Sequence, residues 1–249
     1  MANDLLTVPK TPYDAPPAIN LPAGVFDAAM KTAWNKSFYT VTGYRTQSTA
    51  SVARAEVQEC GFTVFKDVKT QDMQALNAHC SGSGSESGAK DARTGFQPDL
   101  QYPKANYQAV GIVHSHPGLL NRDLVKSLDS TDAAVMLREQ LNFVMALTGS
   151  GVVELYLRTK ATVEGFRDPV SGKWVDAEMK NTGETLGNIA RDSGLGKKWE
   201  ETSEDAAKAV AEHFQLAFYK GSGLLLTRVW PSATEHKAVS TQPHSRKKR

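Results

Sequence analysis

The sequence predicts an α+β protein, a mixed β-sheet core flanked by helices. Three observations carry that expectation. Apolar residues recur at helical spacing in some segments and cluster as strand formers in others. Pairs of strand-like runs are joined through short turn signals, the mark of hairpins. Helices and strands follow no regular β-α alternation, which argues against a doubly wound parallel sheet. With 249 residues, 40% hydrophobic and 22% charged, the chain can bury a sizeable core.

The elements follow in order. Residues 1–22 carry Pro9, Pro12, Pro16, Pro17 and Pro22 and read as an extended leader. Val25, Phe26, Ala29, Met30, Ala33 and Trp34 then fall at amphipathic helical spacing. Residues 49–59 favour a second helix with Ser51 as a cap, and Gly61–Phe65 a strand. Residues 78–106 read as the least ordered internal stretch, because Cys80–Gly88 has the composition of a flexible loop. Ala109–Val113 reads as a buried strand ending at His114-Ser115-His116-Pro117, and residues 130–141 as a helix. Strands are expected at 143–147 and 152–157, and a hairpin around 168–173. A long helix over 203–219, with Ser203 as cap and Ala206, Val210, Phe214 and Ala217 on one face, precedes a last strand at 224–230. Residues 23–230 thus form a single domain, followed by a disordered basic tail over 231–249.

Charge and cysteines narrow the function classes. Twenty-nine basic against 27 acidic side chains give a net charge of +2, with no basic excess to hold a nucleic acid. No apolar run approaches the roughly 18 residues of a membrane span, and the N-terminus has no secretory h-region. Two cysteines, Cys60 and Cys80, offer neither a disulfide framework nor a four-thiolate site, and Cys60 reads as a small buried hydrophobe. The expected location is cytoplasmic, or outside the cell by a route that needs no cleavable signal peptide.

The chemistry concentrates in one segment. Side chains two apart on a strand point the same way, so His114 and His116 can reach one ion. Asp132, in the first turn of the following helix, can join them; Asp129 is the alternative ligand. Two imidazoles and a carboxylate leave one position of a tetrahedral zinc open, which marks a catalytic rather than a closed structural site. Such a site brings the pKa of a water from about 16 toward 7. A carboxylate must then move the proton. Glu59 is the candidate, with Glu56 its competitor.

The run Glu59-Cys60-Gly61-Phe62, then Gly111-Ile112-Val113-His114-Ser115-His116-Pro117, then an acid-bearing helix start, resembles the JAMM (JAB/MPN/Mov34) metallopeptidase family over residues 50–158. The strand-turn-strand after the motif resembles the family's bacterial JAB domains, found in toxin-like and secreted proteins, more than its eukaryotic deubiquitinases. The resemblance implies a zinc held by His114, His116 and Asp132, with Glu59 as general acid/base, in a mixed sheet flanked by helices. It implies a protein or peptide substrate cleaved at a peptide or isopeptide bond. The family places a serine three positions before the aspartate to help orient the water or the oxyanion. Here Asp129 holds that place, and the spacer between His116 and Asp132 is longer. Two other functions stay open: a catalytically inactive MPN-like binding module, and an exported toxin-type amide hydrolase. Oligomeric state is not legible.

Overall fold

A computed structural model of the chain describes residues 4–45, 51–81, 96–101, 105–117, 127–148, 151–165 and 199–232. The expected hairpin at 168–173, the glycine-serine run after Ser81 and the tail beyond Ser232 lie outside them.

Ten strands and four α-helices are described. In chain order they are β1 (Ala18–Asn20), α1 (Ala23–Lys36), β2 (Phe38–Arg45), β3 (Ser51–Val57), β4 (Cys60–Asp67), β5 (Met73–Cys80) and β6 (Tyr107–His116). There follow α2 (Ser130–Arg138), β7 (Phe143–Thr148), β8 (Val152–Leu157), α3 (Lys160–Gly165), α4 (Trp199–His213), β9 (Ala217–Ser222) and β10 (Leu225–Trp230). Eight strands form one sheet in the order β1-β10-β9-β8-β7-β6-β4-β5, while β2 and β3 form a separate ribbon. Among the described strands only the β6–β7 pair is parallel, and α2 lies in its crossover. The protein is α+β with a mixed sheet.

Two apolar clusters sandwich the sheet. On one face α1 sets Phe26, Met30 and Ala33 against Phe62, Val64, Val113, Phe143 and Met145. On the other, α2 and α4 set Met136, Leu137, Val210 and Phe214 against Ile112, Val144, Tyr156 and Phe218. The proline-rich stretch, expected to be extended, instead carries two 3-10 turns, Asp4–Leu6 and Pro12–Asp14, before β1 and is docked on this body: Leu5 and Ile19 are fully buried, and β1 pairs with β10. Its carbonyl groups need donors that proline cannot supply. Arg228 meets those of Pro12, Tyr13 and Ala15, and the Tyr219 hydroxyl donates to Pro16.

Three expectations are corrected. Residues 51–57 are a strand rather than a helix, because β3 pairs antiparallel with the β-branched and aromatic β2, Tyr39 opposite Glu56 and Thr40 opposite Ala55. Local helix preference yields there to cross-strand pairing. The long helix runs Trp199–His213, and Ala217 belongs to β9. It stops where Gln215 takes a φ of 54° and the Leu216 N–H donates to the Ala211 carbonyl, a left-handed cap made without glycine. Cys60 is not a lone buried thiol but is disulfide-bonded to Cys80, the residue paired with it across β4 and β5.

No helix among the described residues is long and apolar enough to cross a membrane. The disulfide closes a 20-residue separation, which in the chain-entropy account stabilises the fold by about 3 kcal/mol. Denaturant titration of the Cys60→Ser, Cys80→Ser double variant should show a loss of that order; a loss under about 0.5 kcal/mol would mean that pairing alone holds the β4–β5 edge.

Candidate metal centre

The site begins with a register change. Val64 pairs with Gly111 but Phe65 with Ala109, so Val110 is an extra residue on β6. Val110 and Val113 therefore both face α1, while Ile112 packs on the α2 side. Alternation then carries His114 and His116 to the α2 side and Ser115 to the α1 side.

Ser115 is fully buried and structural. Its oxygen accepts the Cys60 N–H at 2.9 Å and lies 2.6 Å from the Ser37 hydroxyl. Ser37 donates in turn to the Ala33 carbonyl at 2.9 Å, so the Ser115 proton goes to Ser37. This chain ties β6 to β4 and to the end of α1.

On the opposite side three groups converge. His114 and His116 are each 4% exposed, and their Nε2 atoms are 2.8 Å apart. Asp132 places Oδ1 3.1 Å from His114 Nε2 and Oδ2 3.8 Å from His116 Nε2. Ligand atoms around a tetrahedral zinc, with bonds of roughly 2.0–2.1 Å, lie about 3.3 Å from one another. The three separations bracket that value. Among the described residues these are the histidines, cysteines and acids grouped closely enough to hold an ion. His114 Nδ1 is buried without a hydrogen-bond partner. With the ring proton on Nδ1, the Nε2 lone pair is free for the cluster, and a cation is what three converging acceptors lack. The residues fit a metal ion.

Electrostatics agree. Burial by itself disfavours a charged His114, yet the charge and hydrogen bond of Asp132, with Glu59 and Asp129 behind it, raise its pKa. Burial likewise opposes ionisation of Asp132, but His114 and His116 hold its carboxyl well below the usual range.

Asp132 is aimed by its own helix. The Asp129 N–H donates to Asp132 Oδ2 at 2.8 Å, and the Asp132 N–H to Asp129 Oδ1 at 3.2 Å. That is a reciprocal capping box, with Asp129 as the N-cap of α2. Asp129 thus stands beside the cluster as a cap, while Asp132 supplies the carboxylate that faces the histidines.

Glu59, half-buried between β3 and β4, accepts the Phe96 N–H on Oε2 at 2.6 Å. Its charge helps to raise the pKa of His114, and its partner Phe96 stacks on that ring. Glu56 lies in β3 of the separate ribbon. Phe96 stacks on His114, ring centroids 5.9 Å apart and planes within 5°, and His79 stacks on Phe96 at 4.7 Å. The His79 ring also meets the carbonyls of Asn77 and Gln97, so it braces Phe96. The Thr63 and Asn77 side chains donate to the Asp99 carbonyl and hold the following residues on the sheet. Sequence reasoning missed Phe96, which falls in the stretch expected to be least ordered; an aromatic among loop residues is its only trace.

Gly61 explains the Glu-x-Gly pattern. It pairs with His114, and a Cβ there would collide with the Val113 carbonyl and come within 2.9 Å of the Phe96 ring and 3.0 Å of His114 Cα.

Comparison of the chain with protein-family models, curated proteins and solved structures finds no match in any of the three.

Gly61→Ala should therefore displace Phe96 and His114 together. It should cost about 1–3 kcal/mol by overpacking and weaken any metal binding at the cluster, read by thermal melting and metal titration. Wild-type values in both would show that the strand absorbs a methyl group.

Proposed function

We propose that the chain is a zinc-dependent hydrolase of peptide or isopeptide bonds, with His114, His116 and Asp132 as ligands and Glu59 as general acid/base. The observation that carries the reading is the buried convergence of the three acceptors at zinc-ligand spacing. The JAMM resemblance supports it, through the Glu59, His114-Ser115-His116-Pro117 and Asp132 pattern.

A zinc held there would supply Lewis acidity and a water with a pKa near 7. Glu59 takes the proton of the attacking water as its oxygen bonds to the substrate carbonyl carbon. It returns the proton to the nitrogen as the C–N bond breaks. The Phe96 N–H fixes one Glu59 oxygen and leaves the other for the transfer. Phe96 also shields one face of His114 from water.

The Cys60–Cys80 bond favours the exported, toxin-type version of this reading over a cytoplasmic one, because disulfides persist in oxidising compartments. Asp129 in the place of the family's serine is what favours the inactive binding module. A cap that spends its carboxylate on the helix offers no hydroxyl to an oxyanion.

Elemental analysis after chelator-free purification should find about one zinc per chain. Asp132→Asn and His114→Ala should lose it. Glu59→Gln should keep the metal and lose a factor of 10²–10⁴ in cleavage of a peptide and isopeptide panel. Metal absent from the wild type, even after zinc titration, would overturn the reading. Zinc bound without cleavage in any arm would favour the binding module.

Uptake should also depend on pH. The ligand form of His114 is neutral, and its raised pKa means that protons compete already above the ordinary histidine value of 6.5. Zinc affinity should fall as pH is lowered through that higher point. Flat affinity between pH 8 and 6 would show that His114 is not a ligand.

A further inference from the structure

We propose that Glu154 is a positioning residue for the metal set: through the Ser127–Leu128 peptide it places the start of α2, and with it Asp132, against His114 and His116. The proposal rests on the metal-centre reading above.

Glu154 lies in the middle of β8 and is fully buried. The sheet register puts it in one lateral row with the site: His114 opposite Ala146, Ala146 opposite Glu154, Glu154 opposite Lys220. Paired residues share a face, so its carboxylate rises on the same side as the two imidazoles, two strands away. Ala146 between them is small, and the segment leading into α2 occupies the space above it.

Both carboxylate oxygens are spent on that segment. The Ser127 hydroxyl donates to Oε1 and the Leu128 N–H to Oε2, each at 3.0 Å. Lys220 is 4.0 Å away and is committed to Glu204 at 2.6 Å. Tyr156, two residues along β8, places its hydroxyl 3.1 Å from the Leu128 carbonyl and 3.0 Å from that of Ala207. The Leu128 peptide is thus gripped at its N–H by Glu154 and at its C=O by Tyr156. Asp129, the cap of α2, is the next residue.

The need for such a grip follows from chain length. Fifteen residues separate His116 from Asp132, too many for the connection itself to set the phase of α2. A one-residue slip would rotate Asp132 by roughly 100° around the helix and away from the histidines. A buried carboxylate is a costly way to secure a loop, since packed apolar residues of similar volume usually do as well for stability alone. Here it supplies two acceptors at one point, which no apolar side chain can.

The test compares Glu154→Gln, Glu154→Leu and Tyr156→Phe with wild type. The readouts are zinc affinity, by competition with a chromogenic chelator, and the visible spectrum of the cobalt(II) form. Glutamine can still accept the Leu128 N–H and donate to the Ser127 oxygen, so it should retain wild-type affinity and a tetrahedral cobalt spectrum. Leucine should lose 10–100-fold in affinity, the range for outer-shell partners, with weakened cobalt bands. Wild-type affinity in Glu154→Leu, or a lowered melting point with unchanged zinc binding, would overturn the proposal. Equal losses in glutamine and leucine variants would also overturn it, because charge rather than hydrogen bonding would then be acting. If the leucine variant does not fold, Tyr156→Phe decides: reduced affinity supports the clamp and unchanged affinity overturns it. A wild type that binds neither zinc nor cobalt removes the metal-centre reading and this proposal together, whereas a failure confined to the variants removes this proposal alone.

Discussion

Between Ala109 and Gly111, β6 carries one residue more than β4 opposes, and the direction of every later side chain on that strand depends on it. A strand has period two, so one added residue exchanges its faces. Without the bulge, His114 and His116 would enter the apolar cluster under α1, among Phe62 and Phe143. Ser115 would then face α2. With it, the imidazoles meet α2, whose first turn brings Asp132, and Ser115 finds the hydroxyl of Ser37. The parallel pairing of β6 with β7 runs from Gly111 to His116, so the rephased segment is also the best-held part of the strand.

The neighbours of His114 in its lateral row matter through what they lack. Gly61 on one side and Ala146 on the other leave room above the sheet. Phe96 fills the first space and the Leu128–Asp129 turn the second. Each filler brings a polar group with it: the Phe96 N–H holds Glu59, and the cap at Asp129 holds Asp132. Small residues here serve as sockets for the elements that aim the chemistry.

How much of this was legible follows from which contacts are local. The histidine pair could be read because strand alternation is a two-residue rule, and Asp132 because a helix start is signalled within a few residues. The α+β class followed from periodicities of the same short range. β3 escapes a local reading because Ser51–Val57 has helix preference, and only its pairing with β2 makes it a strand. The end of α4 was misread because Gln215 adopts a left-handed conformation that composition assigns to glycine. Cys60 and Cys80 are 20 residues apart and looked like two isolated thiols; only the β4–β5 register makes them neighbours. Glu154 is one acid in an otherwise apolar strand, and no local pattern connects it with Leu128, 26 residues earlier.

The site therefore gathers groups from β6, α2, β8 and the two segments around Glu59 and Phe96, and its assembly is inseparable from that of the sheet. This bears on what the cluster does when no metal is bound. A buried carboxylate facing two neutral imidazoles would be an uncompensated charge, costly enough to push α2 away. Instead the raised pKa of His114 and the lowered pKa of Asp132 let a proton stand where a cation would. In the proposed reading, proton and metal would compete for one place, and either would leave β6 and α2 bridged. The fold would then be complete without the metal, unlike small domains whose structure depends on zinc. Metal binding would be the exchange of one positive charge for another at a site the sheet has already built.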